Sequence, residues 1–188
     1  GYGDYAFVQH MIATMNPSGK AGIVLPYGAL FRRGAEGNIR KAIIEEDLLE
    51  AVIGLPTKLF YGAGIPACLF ILNKSKQKER KGKVFFLYGA KDYLEGKRQN
   101  KLRQEDIQKV VSAFSSYATI TKYCQPVPLE EIRANDWNLN ITRYIDVSVE
   151  EEPIDIQKTI EEINQLKKAY QDAEDQVLSY LKDLDFKV

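Results

Sequence analysis

Phe60 and Tyr61 stand side by side in the run Leu59-Phe60-Tyr61-Gly62-Ala63-Gly64-Ile65-Pro66. Its glycines and prolines let a backbone turn sharply and approach a ligand closely. Two flat π faces on such a loop suit stacking against a planar group, and they equally suit packing under the loop as core. A second loop, from Pro26 to Gly34, carries Arg32 and Arg33. A guanidinium pairs with phosphate through two parallel hydrogen bonds, although a surface arginine also serves as a plain solvated charge. Gly62 and Gly64 alone are a weak signal, because neither loop has the longer spacing of a dinucleotide or phosphate-binding fingerprint.

Other chemistry-bearing residues read as structural. His10 is the only histidine and falls within a helical pattern, with no Ser or Cys partner nearby. Asn135, Asp136, Asn138 and Asn140 form a cluster of the kind that caps turns by bonding its own backbone. Cys68 lies in an apolar run and Cys124 near Pro126, too few and too scattered for a disulfide framework or a zinc site. No catalytic set and no metal set is legible.

The elements that position these loops follow from periodicity. Apolar residues at Ala6, Phe7, Met11, Ile12 and Met15 predict a helix, which Asn16-Pro17-Ser18-Gly19 ends. Ala21-Gly22-Ile23-Val24-Leu25 reads as a buried strand within Lys20 to Pro26, and Ile39, Ala42 and Ile43 mark one face of a helix over about 38–46. Residues 48–55 and 67–72 are two further strands. The connection from Pro56 to Pro66 has no room for a crossover helix, which implies an antiparallel pair. A charged turn over 74–83 precedes the strand Val84-Phe85-Phe86-Leu87-Tyr88, and Ile107, Val110, Val111 and Phe114 predict a helix over 104–114. Residues 117–149, with Pro126 and Pro128, read as irregular apart from short pieces. In the tail, Ile156, Ile163, Tyr170, Val177 and Leu184 recur every seven residues. Lys167 and Glu174 interrupt the seam of a dimeric coiled coil, whereas Leu166, Ala173 and Tyr180 widen the stripe as packing in a helical bundle requires.

Composition bounds the class. With 188 residues and 45% hydrophobic content, the chain can bury a core, and the fold class is α/β. No apolar run reaches the roughly 18 to 20 residues needed to span a bilayer and no signal pattern opens the chain, so the expected location is cytoplasmic, without a membrane partner. Net charge is zero, yet residues 74–109 hold 12 Lys or Arg against 5 Asp or Glu, while residues 146–188 hold 5 against 12. The asymmetry suggests separate partner surfaces, one of them able to meet phosphate, although such a run is often only a solvated face.

Asp4-Tyr5-Ala6-Phe7, the two loops, Asn135-Asp136-Trp137-Asn138-Leu139-Asn140-Ile141 and Arg143-Tyr144-Ile145-Asp146 together resemble the C-terminal part of the catalytic core in the modification (methyltransferase) subunit of type I restriction-modification systems. The resemblance implies the last part of an S-adenosylmethionine-dependent methyltransferase (Rossmann-like) sheet, mixed through an antiparallel closing hairpin, over residues 1–149. It implies a helical tail for subunit assembly over 150–188. The complete subunit would move a methyl group from S-adenosylmethionine onto the N6 amine of an adenine turned out of the duplex. Phe60 and Tyr61 would then stack on that base, and Arg32 and Arg33 would contact DNA. Implied partners are DNA, a specificity subunit and a restriction subunit.

The family's glycine-rich cofactor loop and its Asn-Pro-Pro-aromatic catalytic motif have no match here, and Ala63 stands where members more often show Thr. The expectation is therefore a fragment, inactive alone and binding no cofactor, whose sheet edge could pair with a second copy. The competing expectation is a non-catalytic α/β interaction module whose tail joins a helical bundle.

Overall fold

The computed structural model describes residues 3–148 and 156–183. Two compact units emerge, Gly1–Ser148 and Val149–Val188. In the first, the chain runs α1 (Asp4–Thr14), β1 (Lys20–Pro26), α2 (Ala35–Glu45), β2 (Leu49–Gly54), β3 (Ala67–Asn73), β4 (Lys83–Tyr88), α3 (Gln104–Ser116), β5 (Cys124–Pro128) and α4 (Leu129–Ala134). The second holds α5 (Ile156–Asp183).

The five strands form one sheet in the order β1-β3-β2-β4-β5. β3 is antiparallel to both β1 and β2, β2 is parallel to β4, and β5 is antiparallel to β4. β1, β2 and β4 consequently point the same way, and their carboxyl ends share one edge of the sheet. The hairpin expected between the second and third strands is present, with Val52 opposite Phe70 and Ile53 opposite Leu69. Its second strand lies inside the sheet, however, because β1 flanks β3 with Val24 opposite Leu69.

Every residue of β2 is buried, as its near-continuous apolar run requires of a strand covered on both faces. On one face Leu25, Val52, Phe70, Leu72, Val84 and Phe86 meet α1, α2 and α4 through Tyr5, Val8, Ile43, Ile44 and Ile132. On the other, Ala51, Ile53, Phe85 and Leu87 meet α3 and Tyr123, with Phe85 stacked on Tyr117 at 4.9 Å between centroids.

The structure sharpens three expectations. β1 is not buried: only Leu25 is, and Val24 is 47% exposed, because no strand lies on the outer side of β1 among the described residues. Within the stretch expected to be irregular apart from short pieces, residues 124–128 form a five-residue strand. Proline is admissible there because β5 is an edge, where a missing N–H removes no ladder bond. The basic run 74–109 is not one surface. Arg80 turns inward to Glu50 at 3.0 Å and Lys76 to Asp47, both beside the amino ends of β2 and β4, at the edge opposite the loops.

α5 is a single helix whose Ile160, Ile163, Tyr170 and Val177 are exposed. Leu184, the last expected position of the seven-residue repeat, lies outside the described residues. Among the described residues no helix is long and apolar enough to cross a membrane.

Candidate functional site at the carboxyl edge of the sheet

The carboxyl ends of β1, β2 and β4 open into three loops that are stitched together through their backbones. Tyr27 N–H donates to Pro66 O at 3.3 Å, Leu55 N–H to Ala67 O at 2.9 Å and Gly89 N–H to Gly54 O at 3.1 Å. This is the edge at which ligands sit in open α/β sheets. The loop carrying Phe60 and Tyr61 projects from it, turned by an Ala63 N–H to Phe60 O bond of 3.1 Å and by Gly62 at φ 71°. Phe60 is 43% and Tyr61 94% exposed, so neither ring is core packing beneath the loop.

What holds this loop comes from the β4–α3 connection. Asn100, only 4% exposed, donates through Nδ2 to Thr57 O at 2.8 Å and through its backbone N–H to Lys58 O at 2.9 Å. Gln99 Nε2 donates to Leu59 O at 2.8 Å. The supporting segment is itself closed by paired bonds between Leu94 and Lys101, and Gly96 N–H donates to Asn100 Oδ1 at 3.2 Å. Gly96 is required by space: a Cβ there would lie 2.0 Å from Gln99 O. Sequence reasoning missed Gln99 and Asn100, and nothing in the basic stretch around them distinguishes two buttressing amides from solvated polar residues.

The β1–α2 loop separates the two neighbouring arginines. Arg32 Nη1 lies 2.8 Å from Asp4 and 3.2 Å from Glu36, and its guanidinium fills the space beside Gly28, where a Cβ would meet Nε at 2.7 Å. Arg33 is exposed, with no hydrogen bond or ion pair among the described residues. The loop is anchored from below by Arg40, 3% exposed, which donates to Ala29 O at 3.2 Å, Arg32 O at 2.8 Å and Trp137 O at 2.8 Å. Tyr5 Oη donates to Ala29 O at 2.8 Å, and Leu139 N–H to Leu30 O at 2.9 Å. The Asn135–Asn140 segment is thereby docked against the β1–α2 loop, and its Asn138 Oδ1 accepts from Asn140 N–H at 2.9 Å, the local capping that its composition predicts.

Burial, then the neighbouring Tyr88 and Cys68, pushes the Tyr27 phenol up to about 12. Burial likewise pushes the Cys68 thiol up to about 12, and that thiol points to Leu25 O at 3.6 Å, so it is inert packing rather than a nucleophile. His10 is exposed on α1. The arrangement can present aromatic faces to a planar group and cationic groups to a negatively charged one.

Comparison with known proteins shows the family. The family model for N-6 DNA Methylase matches residues 1–153. The chain is 42% identical over 185 residues to the methylase subunit of the type I restriction enzyme MjaVIII from Methanocaldococcus jannaschii, covering 97% of this chain and 32% of that subunit. It is 42% identical over 184 residues to the MjaVII methylase subunit from the same organism, covering 96% and 32%. Among solved structures, the methyltransferase subunit of a type I restriction-modification system from Streptococcus thermophilus superposes with a TM-score of 0.73 and 39% identity, over 78% of this chain and 30% of that one. The chain therefore spans about a third of the length of the curated relatives it matches.

Proposed function

Because this chain belongs to the N-6 DNA methylase family and corresponds to part of a type I modification subunit, we propose that it forms one wall of a pocket holding an adenine turned out of the duplex. Phe60 and Tyr61 are the stacking faces and Arg33 a contact to the DNA strand. A base must leave the stack before its exocyclic amine can be reached, and a pocket holds it by stacking on aromatic faces and by polar contacts to its edge. The observation that carries this reading is the aromatic loop itself. It stands at the ligand edge with Phe60 and Tyr61 exposed and is fixed from behind by Gln99 and Asn100.

In the complete subunit the reaction would be transfer of a methyl group from S-adenosylmethionine to the adenine N6, with a specificity subunit and a restriction subunit as partners in the cytoplasm. The residues here do not fit the cofactor by themselves. The strand–loop–helix unit at this edge is closed, since the Arg32 guanidinium fills the space beside Gly28 and also binds Glu36 in the first turn of α2. The cofactor cradle is thus assigned to the remainder of the subunit. Arg32, committed to Asp4 and Glu36, is the weaker of the two arginine candidates for DNA.

The test uses the complete subunit, with its N-terminal part and the specificity partner present, and follows labelled methyl transfer to DNA. Phe60→Ala and Tyr61→Ala each slow transfer by an amount equivalent to about 1–3 kcal/mol, the range for one lost base–aromatic stack. Unchanged rates in both variants would remove this loop from the pocket.

A further inference from the structure

A cleft of about 210 Å³ lies between the β1–α2 loop and the segment that follows α4. Phe31, Arg33, Arg40, Asn135, Asn138 and Arg143 line it, with Asp136 also contributing. Three guanidinium groups thus face one carboxylate. The three are not equivalent. Arg40 is spent on the carbonyls of Ala29, Arg32 and Trp137, yet no carboxylate neutralises its charge among the described ion pairs. Arg33 is exposed and without a partner among the described residues. Arg143, also exposed, makes one long bond, Nη1 to Asn135 Oδ1 at 3.4 Å. Asn138 uses its oxygen to accept from Asn140 N–H, which leaves its amide NH2 as a neutral donor in the lining. Phe31, 45% exposed, supplies an aromatic face at the same cleft.

We propose that this cleft receives a phosphodiester group of an unpaired stretch of the bound DNA strand, held by Arg33 and Arg143 with Asn138 as a third donor, while Phe31 stacks on the adjoining base. This rests on the DNA reading above and adds residues outside the aromatic loop. The chemistry selects the ligand. Two guanidinium forks whose N–H groups are largely unused match phosphate oxygens, and the buried charge of Arg40 raises the local potential without competing for those oxygens. A cationic groove beside an exposed ring is the arrangement by which single strands are held without reading their sequence. The site is also preorganised: Arg40 ties both walls together, since it bonds Ala29 and Arg32 on one and Trp137 on the other.

The test measures binding of a fluorescein-labelled oligothymidine of about 12 nucleotides to the 188-residue chain by fluorescence anisotropy, across about 50 to 200 mM salt. Arg33→Gln and Arg143→Gln each weaken binding and each reduce the slope of log affinity against log salt by about 0.7, the value for one single-strand phosphate contact. Asn138→Asp, which places a negative charge in the cleft and removes no arginine, weakens binding as well. Both arginines are exposed, so melting temperatures of these variants stay at the parent value; Arg40 is left untouched because it holds three carbonyls. Lys97→Gln with Arg98→Gln, on the exposed part of the β4–α3 connection, examines the competing basic surface. Loss of binding there with the cleft variants unchanged overturns the proposal, as does absence of binding by the parent chain. Either result leaves the methyl-transfer test of Phe60 and Tyr61 standing, since that test reads base stacking in the complete subunit.

Discussion

At the level of single side chains, the aromatic loop depends on a residue that cannot touch its ligand. Asn100 is buried, donates to Thr57 O and accepts from Gly96 N–H, so it links the loop to the segment that supports it. Asn100→Ala removes both bonds and is expected to lower stability by about 1–3 kcal/mol, at the usual net worth of a hydrogen bond plus partial desolvation of its orphaned partners. Urea denaturation reads that loss, and hydrogen exchange at Ala63 N–H reads loosening of the loop; an unchanged midpoint would show that water replaces both partners. Phe60 and Tyr61 were legible in the sequence because glycine and proline around an aromatic pair advertise an exposed turn. Asn100 was not, because a buttressing amide gains its meaning from carbonyls about forty residues away, a separation that no local pattern encodes. The same holds for Arg32 and Arg33: identical types at adjacent positions, one locked to Asp4 and the other open to solvent, with Asp4 lying 28 residues before Arg32.

Elements were readable to the extent that local period decides them. The run of β2, the aromatic strand β4 and the amphipathic stripe of α3 each have a single physical solution, and each forms close to its expected bounds. β5 failed that test because Pro126 and Pro128 argue against a strand everywhere except at an edge, and edge position is a property of the sheet. β1 failed oppositely, since an apolar run predicts cover on both faces whether or not the neighbouring layer is part of the chain. α5 is the element whose period speaks most directly to function. Its Ile160, Ile163, Leu166, Tyr170, Val177 and Tyr180 are exposed along a 28-residue helix, and Lys167 and Glu174 interrupt the seam expected of a two-stranded coil. A stripe of that width stabilises a helix by docking into a bundle. Removal of residues 156–188 is expected to abolish co-purification with the specificity subunit while leaving the melting temperature of the α/β unit within a few degrees of the parent. Retained co-purification would assign the assembly contact to another surface.

At the scale of the whole molecule, the sheet is satisfied on three sides and, among the described residues, open on the fourth. The ladder from β3 to β5 is continuous, β5 carries prolines that blunt its outer side, and α1, α2 and α4 cover one face. β1 has a proline only at its last paired position, Pro26, and no charge to discourage pairing beyond Lys20, and it presents Val24 at 47% exposure while nearby α1 presents Phe7 at 68%. Unpaired N–H and C=O groups in a row beside exposed apolar side chains are a template for another strand. In a complete subunit about three times this length, another part of the same polypeptide is expected to cover that edge. Alone, the chain is therefore expected to self-associate through β1. Sedimentation velocity across a concentration series should show a dimer that grows with concentration, and Val24→Lys, which sets a charge on the edge, should return it to a monomer without lowering the melting temperature. A parent chain that stays monomeric throughout would show the edge to be protected, and a dimer that survives Val24→Lys would place the contact elsewhere. Where another part of the complete subunit pairs with β1, the same substitution should cost stability and methyl transfer together, an outcome that the isolated chain cannot mimic.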